Sequence, residues 1–227
     1  KRNGNEWLGR APRPAFWRAS TDNDRGCGLP MRAAPWMAAD VFVTYNGMKV
    51  LEAGPDCVKV KYQFGIPTGT GARAELVYTV EAQGALRVDA VYHGVAGAPE
   101  LPCFGVKFET FGPVTRTVWT GLSGETYPDR YKGGVFGCHE ETPHVEPHLV
   151  PQDCGNRGDV RWAEFADDAG RGLRVTGGEP FHFSAWPYTC ADIDRAAHPT
   201  DLVARDTVTV NLNHAVLGLG SNSWGSE

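Results

Sequence analysis

Residues 58–64 read Val58-Lys59-Val60-Lys61-Tyr62-Gln63-Phe64. Apolar and polar side chains alternate strictly, the period-two pattern of a strand with one buried and one wet face. After the turn-rich Thr68-Gly69-Thr70-Gly71, Leu76, Tyr78 and Val80 alternate with Glu75 and Thr79. Leu86, Val88, Ala90 and Tyr92 follow, then Val106 and Phe108 on either side of Lys107. Strands about ten residues apart, joined by Gly-containing turns, predict an all-β protein of antiparallel sheets. No Rossmann glycine pattern or parallel-sheet signal interrupts them. Downstream, Arg161–Phe165 and Gly172–Thr176 flank Asp167-Asp168-Ala169-Gly170 as a hairpin, and Phe181, Phe183 and Ala185 mark another strand, ended at Pro187.

A chain of 227 residues suits one large β-sandwich, so residues 1–227 read as a single domain. With 41% hydrophobic residues, 22% charged and a net charge of -5, the composition is that of an ordinary globular protein. The acidic balance and the lack of a basic cluster argue against nucleic acid as a partner. No apolar run reaches membrane-spanning length, so no membrane is expected. The opening Lys1-Arg2-Asn3-Gly4 reads like the middle of a hairpin, as of a domain trimmed at its start. Six cysteines, at 27, 57, 103, 138, 154 and 190, are scattered without paired spacing, which predicts reduced thiols in a cytoplasmic protein.

Helical signals are few. Met31–Ala39 could form a short helix with Pro35 breaking its middle, and a strand is expected from Val41 to Tyr45. Asp22-Asn23-Asp24 before Gly26 reads as a turn, with Arg18 and Arg25 near enough to pair with its carboxylates. The same residues fail as a calcium loop, because the glycine comes one place early and Ala33 stands where a bidentate Glu belongs. Thr189 with Asp192 resembles a capping box, predicting a short helix over 193–197.

Three clusters carry possible chemistry. Glu125, Asp129 and Arg130 could be an ion network that pins a loop, or two carboxyl groups set for glycoside hydrolysis; the neighbouring Arg130 favours the network. His144 and His148 have the spacing of a helical zinc pair, but Pro143 and Pro147 oppose a helix, so no metal is expected. A stand-alone epimerase would need a His acid and a Glu base, for which His93, His182 or His214 with Glu125, Glu164 or Glu179 are the candidates.

The chain closes on Leu217-Gly218-Leu219-Gly220-Ser221-Asn222-Ser223-Trp224-Gly225, delivered by a strand in which Val208, Val210 and Leu212 alternate with polar residues. Glycines and small polar residues permit tight backbone packing around one indole. Trp224 either plugs the core or is presented to stack on a sugar ring.

Phe16-Trp17-Arg18-Ala19-Ser20-Thr21-Asp22-Asn23-Asp24-Arg25-Gly26 resembles a signature of the C-terminal domain, or small chain, of family-2 bacterial β-galactosidases, with Ser20 for the usual Pro. Gly124-Glu125-Thr126-Tyr127-Pro128-Asp129-Arg130 is similar to a loop of that family, Ser123 replacing its Pro. Pro151 to Trp162 resembles a third segment, in which Asp153-Cys154 stands for Glu-Asn. Phe183 to Thr189 and His198-Pro199 match as well, and Gly218, Gly220, Ser223, Trp224 and Gly225 match the family's terminal motif, with Asn222 beside them in place of a common Asp. The resemblance implies a galactose mutarotase-like sandwich serving a retaining enzyme that hydrolyses β-D-galactosides such as lactose. It implies that the catalytic glutamates lie in a (β/α) barrel absent from this chain, that no catalytic residue is present here, and that any Mg or Na belongs to that barrel. The implied partners are that barrel and the β-galactoside, with a homo-oligomer as a further assembly. Trp224, with Asn222 and Ser223, is the implied substrate contact.

Overall fold

The protein is described by a computed structural model over residues 6–68 and 71–220. Its elements, in chain order, are β1 (Leu8–Ala15), α1 (Asp22–Cys27), α2 (Leu29–Arg32), α3 (Ala34–Phe42), β2 (Thr44–Ala53), β3 (Cys57–Gly65), β4 (Arg73–Glu81) and β5 (Leu86–His93). They continue with β6 (Cys103–Thr110), β7 (Arg116–Leu122), β8 (Phe136–Glu141), β9 (Arg157–Ala166), β10 (Gly172–Trp186), α4 (Cys190–Arg195) and β11 (Thr209–Val216). The strands make a seven-stranded sheet of order β1-β6-β11-β10-β9-β7-β8 and a four-stranded sheet of order β2-β3-β4-β5. The pairings are antiparallel. The all-β sandwich expected from the alternation is therefore the fold.

The alternating residues keep their register, although Val58, Val80 and Leu86, paired at one end of the small sheet, remain exposed. In the small sheet Val60 pairs with Tyr78 and Tyr62 with Leu76, keeping the apolar set on one face. That face meets the large sheet where the Tyr78 hydroxyl donates to the Pro12 carbonyl and the Tyr92 ring lies 6.1 Å from Phe104. A core of Phe16, Trp36, Ala74, Trp186 and Ile193 fills this junction, joining both sheets to the helices. A second core gathers Phe108, Trp119, Phe165, Phe183 and Val210 on one face of the large sheet. The opposite face buries Lys107, Ser184, Asn211 and Asn213 instead. A polar interior stands only if its groups are paired. Lys107 is bonded to the buried Asp40 of α3, and Asn211 donates to Ser184 Oγ at 3.1 Å, while the side-chain oxygens of Asn211 and Asn213 are left without a hydrogen-bond partner among the described residues.

Three local expectations are corrected. Asp22-Asn23-Asp24 opens α1 instead of a turn, because Thr21 and Asp24 form a reciprocal capping box; Gly28, at φ 75°, ends the helix in the left-handed conformation. Pro35 lies within the first two residues of α3, where its missing N–H costs nothing, so it begins a helix that it was expected to break. Val41 and Phe42 stay in α3, and the strand starts at Thr44. There the buried stripe Trp36, Ala39 and Asp40 outweighs the β preference of Val41. The capping box at Thr189 and Asp192 is present, although its helix begins at Cys190. Among the described residues no helix is long and apolar enough to cross a membrane.

Candidate functional site

The chain just beyond β11 is held by side chains from α1 and the residues before it, and from the loop between β7 and β8. Leu217 N–H donates to the Pro102 carbonyl at 2.9 Å, and the Gly218 carbonyl accepts from Arg18 Nη2 at 2.9 Å. Asp129 accepts the Leu219 N–H at 3.1 Å and the Gly220 N–H at 3.0 Å. Asn23 Nδ2 donates to the Leu219 carbonyl at 2.9 Å and the Gly220 carbonyl at 3.2 Å, and Arg130 adds a bond to Gly220 O at 2.5 Å. All four backbone polar groups of Leu219 and Gly220 are thus satisfied by side chains, an arrangement no strand or helix ladder supplies.

The segment around α1 is held by a dense set of local hydrogen bonds. Asp24 is fully buried; it accepts from Arg18 at 2.5 and 3.2 Å and from the N–H and hydroxyl of Thr21 at 2.8 and 2.9 Å. A buried guanidinium and carboxylate offset their desolvation only with such complete pairing. Asp194 of α4 fastens the preceding residues, accepting from Trp17 Nε1 and Ser20 N–H at 2.7 Å each. On the solvent side, Gln152 and Asp22 exchange bonds at 2.9 and 3.1 Å, and Arg25 reaches the Pro151 carbonyl at 2.8 Å.

Beneath the grip, Tyr127 donates its hydroxyl to Asp153 at 2.5 Å, both side chains being buried. Burial pushes the Asp153 carboxyl up to about 7, against the opposing pull of Arg18 and the Tyr127 hydrogen bond. Burial also raises the Tyr127 phenol well above its ordinary range. For Arg18, burial works toward a lower value, but Asp153 and Asp24 outweigh it and hold the guanidinium above its usual range.

The expected local network of Glu125, Asp129 and Arg130 is therefore a different device: Asp129 and Arg130 direct their bonds to Leu219 and Gly220, about 90 residues along the chain. Trp224, Asn222 and Ser223 lie outside the described residues. Of the His and Glu candidates for an epimerase, three have other partners. His182 bonds Tyr131 and Asn156 at 3.0 Å each, His93 lies 3.9 Å from Glu75, and Glu164 pairs with Arg174 at 3.2 Å. His144 bonds Glu146 at 2.9 Å, and among the described residues no group of three or more potential ligands is placed to hold a metal ion. The six cysteines are free thiols. Asn23 is the residue that sequence reasoning passed over; its only signal was its place in the Asp22-Asn23-Asp24 run.

This is a β-sandwich domain in which Arg18, Asn23, Asp129 and Arg130 bind the backbone just beyond β11. The family model described as "Beta galactosidase small chain" matches residues 1–227, and the chain belongs to that family. It is 39% identical to the "Beta-galactosidase small subunit" of Latilactobacillus sakei, over 99% of this chain and 80% of that relative. It is 32% identical to a "Beta-galactosidase" of Streptococcus thermophilus and 34% identical to one of Lactobacillus delbrueckii subsp. bulgaricus, over 100% and 99% of this chain. The chain spans 22% of the length of each of these two relatives.

Proposed function

We propose that the chain is the non-catalytic, substrate-contacting part of a β-galactosidase, completing a sugar site whose catalytic glutamates reside in a partner (β/α) barrel. The observation that carries this reading is the side-chain grip on Leu219 and Gly220, four residues before Trp224. The carboxylates gathered here already have structural duties: Asp24 in its ion pair and cap, Asp129 on the backbone, Asp153 with Tyr127. That division of labour supports a domain that binds and leaves bond cleavage to its partner.

The reaction we assign to the assembled enzyme is retaining hydrolysis of β-D-galactosides such as lactose, through a covalent galactosyl intermediate on a partner carboxylate. Trp224, with Asn222 and Ser223 beside it, offers an apolar face for the leaving sugar. Hiding on the order of 50 to 80 Å² of apolar surface contributes roughly 1 to 2 kcal/mol, enough to tune affinity and acceptor choice. We place the protein in the cytoplasm, in keeping with its unclustered cysteines. In the complete enzyme, Trp224→Ala should raise KM for lactose and weaken glucose as an acceptor while leaving cleavage of the galactosyl bond nearly intact. An unchanged lactose profile would refute the assignment of Trp224.

A further inference from the structure

We infer that this fold has an internal binding site for one water molecule, held between the guanidinium of Arg18 and the side-chain oxygens of Asn211 and Asn213. Along β11, Val210 and Leu212 face the second core, and the alternate positions Thr209, Asn211 and Asn213 would be wet in a sheet with one solvated side. Each of those three residues is instead only 4% exposed. A polar atom buried there without a partner loses its hydration and gains nothing in return. Among the described residues Arg18 Nε, Asn211 Oδ1 and Asn213 Oδ1 are such atoms, and their side chains line one cavity of about 10 Å³. The buried Asp153, Asn156 and Ser184 contribute to the same polar wall. A volume of that order holds about one water molecule.

The balance of donors and acceptors identifies the ligand. Arg18 has five N–H groups to place. Nη1 donates to the Ala19 carbonyl at 3.2 Å and to Asp24 at 2.5 Å, and Nη2 donates to Asp24 at 3.2 Å and to the Gly218 carbonyl at 2.9 Å. The fifth, on Nε, needs an acceptor. Asn211 spends its amide nitrogen on Ser184 Oγ, so its oxygen needs a donor, as does that of Asn213. A metal cation would suit the two oxygens but would be repelled by the guanidinium, and an anion would suit the guanidinium but not the oxygens. Water accepts from Nε–H and donates one hydrogen to each oxygen, three bonds in all. It thereby fastens Arg18 to the inner face of β11, while the same guanidinium holds the Gly218 carbonyl just beyond that strand.

The test is a high-resolution crystal structure of the complete enzyme, read at this cavity. The inference predicts a single well-ordered density peak about 2.7 to 3.2 Å from Arg18 Nε and from the oxygens of Asn211 and Asn213. A cavity without density would overturn it, as would a direct bond from Arg18 Nε to either asparagine. A peak about 2.3 to 2.6 Å from several oxygens would mark a cation and overturn it too. A second structure, of Asn213→Leu, tests the bonding scheme, because leucine is close to asparagine in size but offers no acceptor. The peak should be lost there while the bonds from Arg18 to Asp24 and Gly218 remain. A peak that persists unchanged beside Leu would show that Asn213 does not hold the water and would overturn the three-point site; if that variant does not fold, the density of the parent enzyme decides.

Discussion

A methyl group on Gly218 would lie 2.6 Å from Cγ of Asp129, and 2.7 and 3.0 Å from its two carboxylate oxygens. No side chain fits between them, so the approach of backbone to carboxylate requires glycine at 218. Gly218→Ala should push Asp129 off the Leu219 and Gly220 N–H groups and raise KM for lactose in the complete enzyme several-fold. Global stability should change by only about 1 kcal/mol, since the site is at the surface. Gly133→Ala is the matched control, for nothing lies within 4 Å of a methyl group there. Equal KM values for the two variants would argue against the close contact.

The Arg18–Asp24 pair predicts a large stability effect. Arg18→Met keeps the length of the side chain but strands a fully buried carboxylate. Removing one partner of such a pair costs about 3 to 5 kcal/mol. Urea denaturation should register most of that loss, whereas exposed Arg87→Met, which breaks a pair with Asp89, should leave the midpoint nearly unchanged. Similar losses for the two variants would contradict the buried-pair account.

Asp153 predicts a pH dependence. Its carboxyl is raised to about 7 in the folded chain, mainly by burial, with Glu125 and Asp24 acting in the same direction and Arg18 and Tyr127 opposing. The folded state therefore holds a proton that the unfolded chain has released above about pH 4, so this group's contribution to stability falls as pH rises from about 4 through 7. Asp153→Asn preserves an acceptor for Tyr127 and abolishes the titration. The variant should gain stability relative to the parent between pH 5 and pH 8 by urea denaturation; a difference that stays flat across that window would contradict the assignment.

The strands were legible because alternation is a local signal: β3, β4 and β5 follow the apolar positions of 58–64, 76–80 and 86–92. The capping box at Thr189 was readable for the same reason. The equivalent box at Thr21 was hidden behind Asp22-Asn23-Asp24, whose turn preference competes with a helix of only six residues. The grip on Leu219 and Gly220 was not legible from spacing, because Asn23 and Asp129 lie about 196 and 90 residues away in sequence. Asp129 beside Arg130 looks like a local pair until the β11 terminus is brought to them. The resemblance flagged each motif, but only the packing joined them into one device.

The most direct measurement is hydrolysis of a chromogenic β-galactoside by the purified chain alone, by the barrel-containing part alone, and by the two mixed. The account predicts no turnover from this chain by itself and a gain in activity when it is added to its partner. Hydrolysis by the isolated chain would contradict it and place a complete acid and nucleophile within these 227 residues.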